Sequence, residues 1–290
     1  MPVKLIAFDL DGTLLDSDKH VPPENLAALQ KAYERGIFLV PATGRILKSM
    51  PDELLALGLF RYFIFANGAE VYDLKEQRAL HRARIEPGLA IQLCEYMDTL
   101  PVLYDCYRGE RGYMTAWMYD AAPVYFENEP HNLKLVKTLR LPVPELKENI
   151  RETNIPIEKM QMYFRPEHMD ERARQILEIP KRFPALIASS SLSNNIEINS
   201  ADAGKGNALR ELCRLLNIDC AESVAFGDGL NDADMLRAAG LGCAMENAVP
   251  PVKDSANVIV ESNNNAGVGK EIFRLLKDES SFSGKNQASG

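Results

Sequence analysis

The chain has 290 residues, of which 46% are hydrophobic and 26% are charged, and its formal net charge is -8 at pH 7. A chain of this length and composition is expected to fold around a large core with room for two domains, so disorder is excluded as the default. The negative charge argues against nucleic acid as the main partner, because binding a phosphate backbone needs a basic surface. A small phosphorylated ligand remains compatible with this charge, since a local positive pocket is enough to bind it.

The apolar stretches and the cysteines indicate where such a protein works. No apolar run in the sequence reaches the length needed to span a bilayer, and the start lacks a basic segment followed by an apolar signal core. The five cysteines contain no CxxC pair, which argues for reduced, mostly buried thiols and against a zinc site. We therefore expect a cytoplasmic protein without a membrane partner, and the sequence leaves monomer and homodimer open.

The first predicted strand ends in two acidic residues. The run Leu5–Phe8 is apolar and uncharged, which predicts a buried strand of a parallel sheet. Asp9 and Asp11 follow it, and strand alternation points both carboxylates to the same side, with Gly12 allowing a tight turn after them. Buried carboxylates are costly unless a cation accompanies them, and ligands of open α/β sheets bind outside the carboxyl ends of the strands. This stretch therefore predicts a metal site.

The Asp-x-Asp-Gly sequence of this stretch has two other interpretations. It is typical of an Asx turn, and it also opens calcium-binding loops. A calcium loop closes with Glu at its twelfth position, and the twelfth residue counted from Asp9 is His20. The sequence thus disfavours a calcium loop and favours a catalytic metal site.

A second predicted strand, Ile37–Val40, follows a predicted helix that starts at Pro23 and ends at Gly36. The two strands and the helix form a βαβ unit, so the strands should be parallel. This strand leads to Thr43 and Gly44, whose hydroxyl and backbone N–H groups are suited to bind an anion at the start of the next helix. A plain helix N-cap is the alternative interpretation.

A third predicted strand, Tyr62–Ala66, ends at Asn67 and Gly68. The Asn-Gly pair is typical of a type I′ turn, which would lead into a short hairpin arm over residues 71–73. Direct contact between Asn67 and a substrate is the other interpretation of this pair.

The pattern of predicted elements changes between about residues 82 and 189, where strands and helices are mixed. We expect this segment to form an inserted α/β domain, after which residues 195–199 return to the core and a final helix ends near Leu276. The polar, Ser/Gly-rich residues 277–290 are expected to be a disordered tail. The predicted elements of the insert are a helix over Pro87–Leu100, a hairpin over Val102–Thr115, a strand over Lys159–Phe164, a helix over Met169–Leu177, and one or two strands within Ala185–Ile198.

Two later segments carry charge where a ligand is expected. Lys205 stands between two glycines at the start of a predicted helix, where its charge opposes the helix dipole unless an anion is bound. A solvated lysine is the alternative there. Asp228, Asn231 and Asp232 follow the predicted strand Ser223–Phe226, which repeats the arrangement at the first strand. A charged N-cap would explain Asp232 or Asp234, but not all three carboxylates of this segment.

Four of these segments resemble the four signatures of the haloacid dehalogenase (HAD) superfamily and occur in the same order. They are FDLDGTLL at residues 8–15, the Thr43-Gly44 pair, Lys205, and GDGLNDADML at residues 227–236, which is similar to the signature of the Cof-type phosphatases. The resemblance implies an α/β fold with a Rossmann-like parallel sheet core of discontinuous topology. The core would cover residues 1–82 and 190–276, and an inserted α/β cap domain would cover 83–189.

The resemblance also implies an activity. Cof-type members are Mg²⁺-dependent phosphatases that hydrolyse small phosphorylated metabolites through an aspartyl phosphate, and sugar phosphates, pyridoxal phosphate and flavin mononucleotide are all candidate substrates. A phosphosugar mutase using the same intermediate and a catalytically silent regulator that binds phosphorylated metabolites are the alternatives. A dehalogenase is disfavoured because it would not need Asp11.

Each site residue has a role implied by the resemblance. Asp9 would be the nucleophile and Asp11 the general acid/base, while Arg45 would either contact the substrate or brace its loop. If the acidic loops share one Mg²⁺, the carboxylates of Asp9 and Asp228 must lie within about 10 Å of each other. The implied metal ligands are Asp9, Asp11 and Asp228, the implied phosphate ligands are Leu10, Thr43, Gly44, Lys205 and Asn231, and the implied supporting residues are Arg45, Asn67 and Asp232.

Overall fold

The computed structural model describes residues 2–109, 111–127 and 129–283, with side chains through residue 277. The chain divides into two compact units. The core unit contains the described residues of 1–43, 51–81 and 204–290, and the inserted unit contains those of 44–50 and 82–203.

Strands and helices alternate along most of the chain. The strands of the described residues are β1 Leu5–Phe8, β2 Phe38–Pro41, β3 Tyr62–Phe65, β4 Glu70–Asp73, β5 Arg78–Arg82, β6 Val102–Arg108, β7 Arg111–Thr115, β8 Arg140–Val143, β9 Lys159–Phe164, β10 Leu186–Ser189, β11 Asn195–Ser200, β12 Ser223–Gly227, β13 Leu241–Met245 and β14 Val258–Val260. The α-helices are α1 Pro23–Glu34, α2 Asp52–Ala56, α3 Pro87–Met97, α4 Ala116–Tyr125, α5 Pro130–Leu139, α6 Leu146–Thr153, α7 Met169–Arg182, α8 Lys205–Leu216, α9 Ala233–Ala238, α10 Pro250–Lys253 and α11 Gly267–Ser283.

A five-stranded sheet forms the centre of the core unit. Its strand order is β14-β13-β12-β1-β2, and all neighbouring strands are parallel. All four residues of β1 are buried, as expected for a strand with neighbours on both edges and covered faces. The sequence prediction of an α/β fold with a parallel-sheet core, and of parallel pairing between the first two strands, is confirmed.

The register of the central strands brings three strand ends to one edge of the sheet. Phe8 at the end of β1 pairs with Phe226 on β12 and with Pro41 on β2. The chain segments that leave these strands therefore begin side by side. This is the edge at which open α/β sheets bind their ligands.

A second, smaller sheet of the chain has the strand order β3-β4-β5, in which β3 and β4 are antiparallel. A parallel bridge between Ala42 and Ile64 joins the segment after β2 to β3. The hairpin between β3 and β4 turns at Asn67 (φ 58°, ψ 32°) and Gly68 (φ 95°), the left-handed conformations of a type I′ turn. The turn and hairpin arm expected from the Asn-Gly pair are both present.

The inserted unit is built on a six-stranded sheet with the order β10-β11-β9-β6-β7-β8. The predicted hairpin is β6 with β7, and the predicted strand over Lys159–Phe164 is β9, which pairs antiparallel with both β6 and β11. Its apolar core includes Tyr104, Met160 and Ile198 from the sheet and Leu93 from α3. The insert therefore contains both strands and helices, as its sequence pattern predicts.

Two boundaries differ from the sequence prediction. Residues 195–199 do not return to the core: β11 pairs with β9 and β10 in the sheet of the inserted unit, because its alternating pattern suits any half-covered sheet. The last helix does not end near Leu276 but continues to Ser283, so the first half of the predicted tail is helical. Residues 284–290 lie outside the described part of the chain.

None of the helices in the described ranges combines the length and the apolar character that crossing a bilayer requires.

Candidate active site

The segment after β1 turns back on itself at once. The backbone N–H of Leu14 donates to the carbonyl of Asp9 (3.2 Å), and the N–H of Leu15 donates to the carbonyl of Leu10 (2.9 Å). Leu10 is fully buried, and its carbonyl also accepts the N–H of Thr13 (3.3 Å). The turn places Asp9 at the carboxyl edge of the sheet, with 8% of its surface exposed.

Three carboxylates from two separate loops meet at this edge. One oxygen from each of Asp9, Asp228 and Asp232 lies within 4.8 Å of the corresponding oxygens of the other two. Asp9 follows β1, whereas Asp228 and Asp232 belong to the segment between β12 and α9. The separation of Asp9 and Asp228 is therefore well inside the limit that a shared coordination sphere sets.

Lys205 is the cation in contact with this group. It is the first residue of α8 and is completely buried, and its ammonium donates to Asp9 (2.5 Å) and to Asp232 (2.6 Å). Burial opposes the charged form, but the two carboxylates outweigh burial and raise the pKa of Lys205 above its ordinary value. The lysine therefore stays an ammonium, and the solvated-lysine interpretation is wrong.

The carboxylates of Asp9 and Asp228 resist ionisation in the metal-free site. Burial raises the pKa of Asp9 well above its ordinary value, Lys205 opposes the rise, and the neighbouring carboxylates add to it. Burial and the charge of Asp232 raise the pKa of Asp228 to about 6, although its Oδ1 accepts a hydrogen bond from the Thr13 hydroxyl (2.7 Å). Full ionisation of the three carboxylates would therefore give the site more negative charge than Lys205 neutralises.

The raised pKa of Asp228 predicts how the metal-free protein responds to pH. Because the folded pKa of about 6 exceeds the ordinary value of 3.8, the folded protein binds a proton between these values that the unfolded chain does not. The resulting stabilisation is fully present below pH 3.8 and is lost as the pH rises through about 6. Thermal unfolding in EDTA from about pH 5 to about pH 7.5 should show this loss, and Mg²⁺ should reverse it at the higher pH.

Asp228→Asn is the matched variant for this titration, because it removes the ionisable group and keeps the shape. Its unfolding temperature in EDTA should fall less between the two pH values than that of the wild type. Equal pH slopes for the two proteins would contradict the assignment of the titration to Asp228.

The carboxylate of Asp11 lies outside the group of three. It forms an ion pair with Lys19 (2.8 Å) in which both side chains are partly exposed. The alternation that would have pointed Asp11 alongside Asp9 holds only within a strand, and β1 ends at Phe8. Asp232, which the sequence placed in a supporting role, lies within the group, and the charge of Asp11 is close enough to raise the pKa of both Asp9 and Asp228.

Asp232 and Asp234 hold the loop after β12 in shape. One oxygen of Asp232 accepts the backbone N–H groups of Asp228 (3.0 Å) and Gly229 (2.9 Å), while the other faces Lys205. Asp234 accepts the backbone N–H of Gly206 (2.9 Å) in the first turn of α8. The sequence patterns gave no role to Thr13 and indicated Asp234 only as an N-cap, although both belong to the signature segments and each is a residue type that bonds to neighbouring loops.

Position 12 requires glycine for two reasons: its backbone conformation is left-handed, and there is no room for a Cβ. Its φ is +88°, and a Cβ added to it would lie 2.4 Å from Oδ2 of Asp228. Gly12→Ala should therefore cost about 1–3 kcal/mol of stability through backbone strain, and it should also displace Asp228 and weaken metal binding.

Gly36→Ala is a control for strain alone, because Gly36 has a similar φ of +77° with no heavy atom within 4 Å of an added Cβ. Titration calorimetry with Mg²⁺, combined with thermal unfolding, separates the two effects. If both variants bind Mg²⁺ equally well, the steric contact between Gly12 and Asp228 does not control the metal site.

The other predicted phosphate-site residues of the core unit are joined by hydrogen bonds. The backbone N–H of Thr43 donates to Ile64 (2.8 Å), and its carbonyl accepts the N–H of Asn67 (3.0 Å). The amide of Asn231 donates to the side-chain oxygen of Asn67 (3.0 Å). The segments after β2, β3 and β12 are thereby tied together, and Asn67 has a structural role in addition to its turn.

Gly44 and Arg45 belong to the inserted unit. The carbonyl of Gly44 accepts a hydrogen bond from the buried ammonium of Lys159 (2.7 Å), which also pairs with Glu197 (2.8 Å). Arg45 donates to the backbone carbonyl of Ser49 (3.1 Å), a bond within its own segment that favours the bracing interpretation.

The donor set fits a hard divalent cation. Three carboxylates face one ammonium, so their full ionisation requires a further cation, and carboxylate oxygens are the ligands that Mg²⁺ prefers. Among the acidic, histidine and cysteine side chains of the described ranges, Asp9, Asp228 and Asp232 have the spacing of a metal site.

A family model for haloacid dehalogenase-like hydrolases matches residues 6–272, which include the whole of the site described above. The chain belongs to this family. The resemblance inferred from the four sequence signatures is thus confirmed.

Relatives of this HAD-family chain match it along most of its length. It is 30% identical to "Phosphatase YwpJ" of Bacillus subtilis, covering 94% of this chain and 100% of that protein. It is 29% identical to "5-amino-6-(5-phospho-D-ribitylamino)uracil phosphatase YcsE" of the same organism, covering 93% and 94%. The solved structure of a haloacid dehalogenase-like hydrolase from B. subtilis superimposes with a TM-score of 0.78 at 30% identity, covering 94% of this chain and 100% of that one.

Proposed function

We propose that this HAD-family protein is a Mg²⁺-dependent phosphatase that hydrolyses small phosphorylated metabolites through an aspartyl phosphate on Asp9. The observation that carries the proposal is the buried group of Asp9, Asp228, Asp232 and Lys205 at the carboxyl edge of the sheet. Relatives of this chain are named as phosphatases, which supports the same reaction class.

The first half of the reaction transfers the phosphoryl group to the protein. A carboxylate oxygen of Asp9 attacks phosphorus, and the bond from phosphorus to the leaving oxygen breaks with its electron pair on that oxygen. Asp11 protonates the leaving oxygen, which departs as an alcohol. Asp11 is suited to this exchange because it is partly exposed, unlike Asp9.

The second half releases phosphate. Asp11, now a carboxylate, takes a proton from a water molecule whose oxygen attacks phosphorus. The bond between phosphorus and the Asp9 oxygen breaks, which regenerates the free carboxylate. An acyl phosphate suits this step because it hydrolyses more readily than a phosphate ester.

Charge compensation is the central requirement, since a carboxylate must approach an anionic phosphate. Lys205 neutralises one charge and, with Thr43 and Asn231, would hold the phosphoryl oxygens in line. Asp9, Asp228 and Asp232 are the side chains that would hold Mg²⁺, which when bound supplies two positive charges to the nucleophile and the phosphoryl group.

The substrate class is a small phosphorylated metabolite, such as a sugar phosphate, pyridoxal phosphate or flavin mononucleotide. The test is a panel of phosphate esters assayed for released inorganic phosphate with Mg²⁺, and with EDTA as the control. We expect phosphate release that EDTA abolishes and Mg²⁺ restores. Isomerised sugar phosphate without released phosphate would identify a mutase, and binding without turnover would identify a regulator.

We also infer a cytoplasmic location from the thiols. All five cysteines are free, and all but Cys220 are buried, which fits a reducing compartment.

A further inference from the structure

Asparagine side chains hold the loop that follows β1. Three backbone carbonyls of this loop, residues 10–15, accept hydrogen bonds from asparagine side chains of the core unit. The three bonds are Asn247 Nδ2 to Gly12 O (2.8 Å), Asn25 Nδ2 to Leu14 O (3.0 Å) and Asn263 Nδ2 to Leu15 O (2.9 Å).

Asn247 connects two segments because both ends of its amide are used. Its nitrogen donates to the carbonyl of Gly12 (2.8 Å), and its oxygen accepts the backbone N–H of Asn263 (3.0 Å). Asn263 in turn holds the carbonyl of Leu15, so the bonds close a bridge from one end of the loop to the other. Asn247 itself is exposed, and therefore its replacement need not disturb the core.

The Gly12 carbonyl, which Asn247 binds, belongs to a peptide next to both Asp11 and Asp228. Gly12 directly follows Asp11, so rotation of its backbone turns the segment that carries the Asp11 carboxylate. Gly12 also lies so close to Asp228 that an added Cβ would be 2.4 Å from Oδ2. The next residue, Thr13, donates its hydroxyl to the same carboxylate (2.7 Å). A shift of this peptide therefore changes the position of Asp11 relative to the acidic group.

We propose that Asn247 is a positioning residue for the acid–base step, acting by fixing the Gly12 carbonyl and through it the direction of Asp11. The inference rests on the proposed function, in which Asp11 protonates the leaving oxygen. It assigns a catalytic contribution to a residue outside the four signature segments.

The leaving group of the substrate provides the decisive measurement. 4-Nitrophenolate departs without a proton, whereas an alkoxide requires protonation by the general acid. Asn247→Ala should therefore lower kcat/KM for an alkyl phosphate by about 10-fold, a part of the usual contribution of a general acid. For 4-nitrophenyl phosphate the loss should stay below about threefold.

Two further variants sharpen the experiment. Asn247→Asp keeps an acceptor for the Asn263 N–H but removes the donor to Gly12, so it should show the same selective loss as Asn247→Ala. Asn265→Ala, at an exposed asparagine of the same C-terminal segment, is the matched control and should leave both substrates unaffected. Thermal unfolding of each variant is measured in parallel.

Asp11→Asn separates failure of the inference from failure of the proposed function. It should show a larger selective loss on the alkyl phosphate than the Asn247 variants. If Asp11→Asn is selective and Asn247→Ala reduces both substrates equally or neither, the positioning role is wrong. If Asp11→Asn itself affects both substrates equally, the acid–base assignment fails, and the inference is overturned with it.

Discussion

Asp9→Asn is expected to abolish phosphate release while the fold persists. An amide is not a nucleophile toward phosphorus, so turnover should fall by about 10⁴-fold or more. The fold should tolerate the change because burial already disfavours the ionised form of Asp9. In addition, an amide oxygen can still accept a hydrogen bond from the Lys205 ammonium. Three quantities are measured: released phosphate, the amount of phosphoprotein trapped after brief mixing with substrate, and the temperature of thermal unfolding. The variant should release no phosphate and form no phosphoprotein.

The control for Asp9→Asn is Asp18→Asn, which removes the same charge at an exposed position of the following loop. It should retain wild-type turnover. Full activity of Asp9→Asn, once contaminating phosphatase is excluded by purification under denaturing and refolding conditions, would contradict the nucleophile assignment.

Lys205→Met is expected to impair both stability and catalysis. Removing one partner from a buried ion pair costs about 3–5 kcal/mol, because the remaining charges lose their compensation. Here Asp9 and Asp232 would both face an apolar side chain. Catalysis should fall by about 10²–10³-fold because a charge that stabilises the phosphoryl oxygens is lost. Thermal unfolding and kcat/KM measure the two effects.

Mg²⁺ separates the electrostatic explanation from simple loss of packing. If excess negative charge destabilises the variant, Mg²⁺ should raise the unfolding temperature of Lys205→Met by more than that of the wild type. Lys31→Met is the control, since Lys31 belongs to an exposed pair with Glu34 and its removal should change little. A stability of Lys205→Met equal to that of the control would mean that the buried pairs are not the source of the effect.

Local patterns in the sequence were sufficient to predict that the acidic segments after β1 and β12 meet. An apolar run followed by acidic residues predicts a strand end in a parallel sheet, and β1 and β12 both have this form. The carboxyl ends of parallel strands meet at one edge, so the convergence of Asp9 and Asp228 follows once both strands are assigned. The place of Lys205 in the first turn of α8 is likewise a local property.

Other features depend on partners that the sequence does not specify. The choice of β9 and β10 as neighbours of β11 was missed, because an alternating pattern fits more than one sheet. The position of the Asp11 carboxylate, beside Lys19 and outside the acidic group, was missed because alternation ends where the strand ends.

The amino-acid sequence by itself determined the α/β class, the order of the signature segments, and the residues that carry charge at the strand ends. These are consequences of periodicity and of polar residues at fixed distances along the chain. Only the tertiary structure decided which carboxylates share the buried site and that Asn247 holds Gly12 across 235 positions of sequence. The physical reason is that a side-chain hydrogen bond or ion pair depends on the distance between atoms in space, which no local pattern contains.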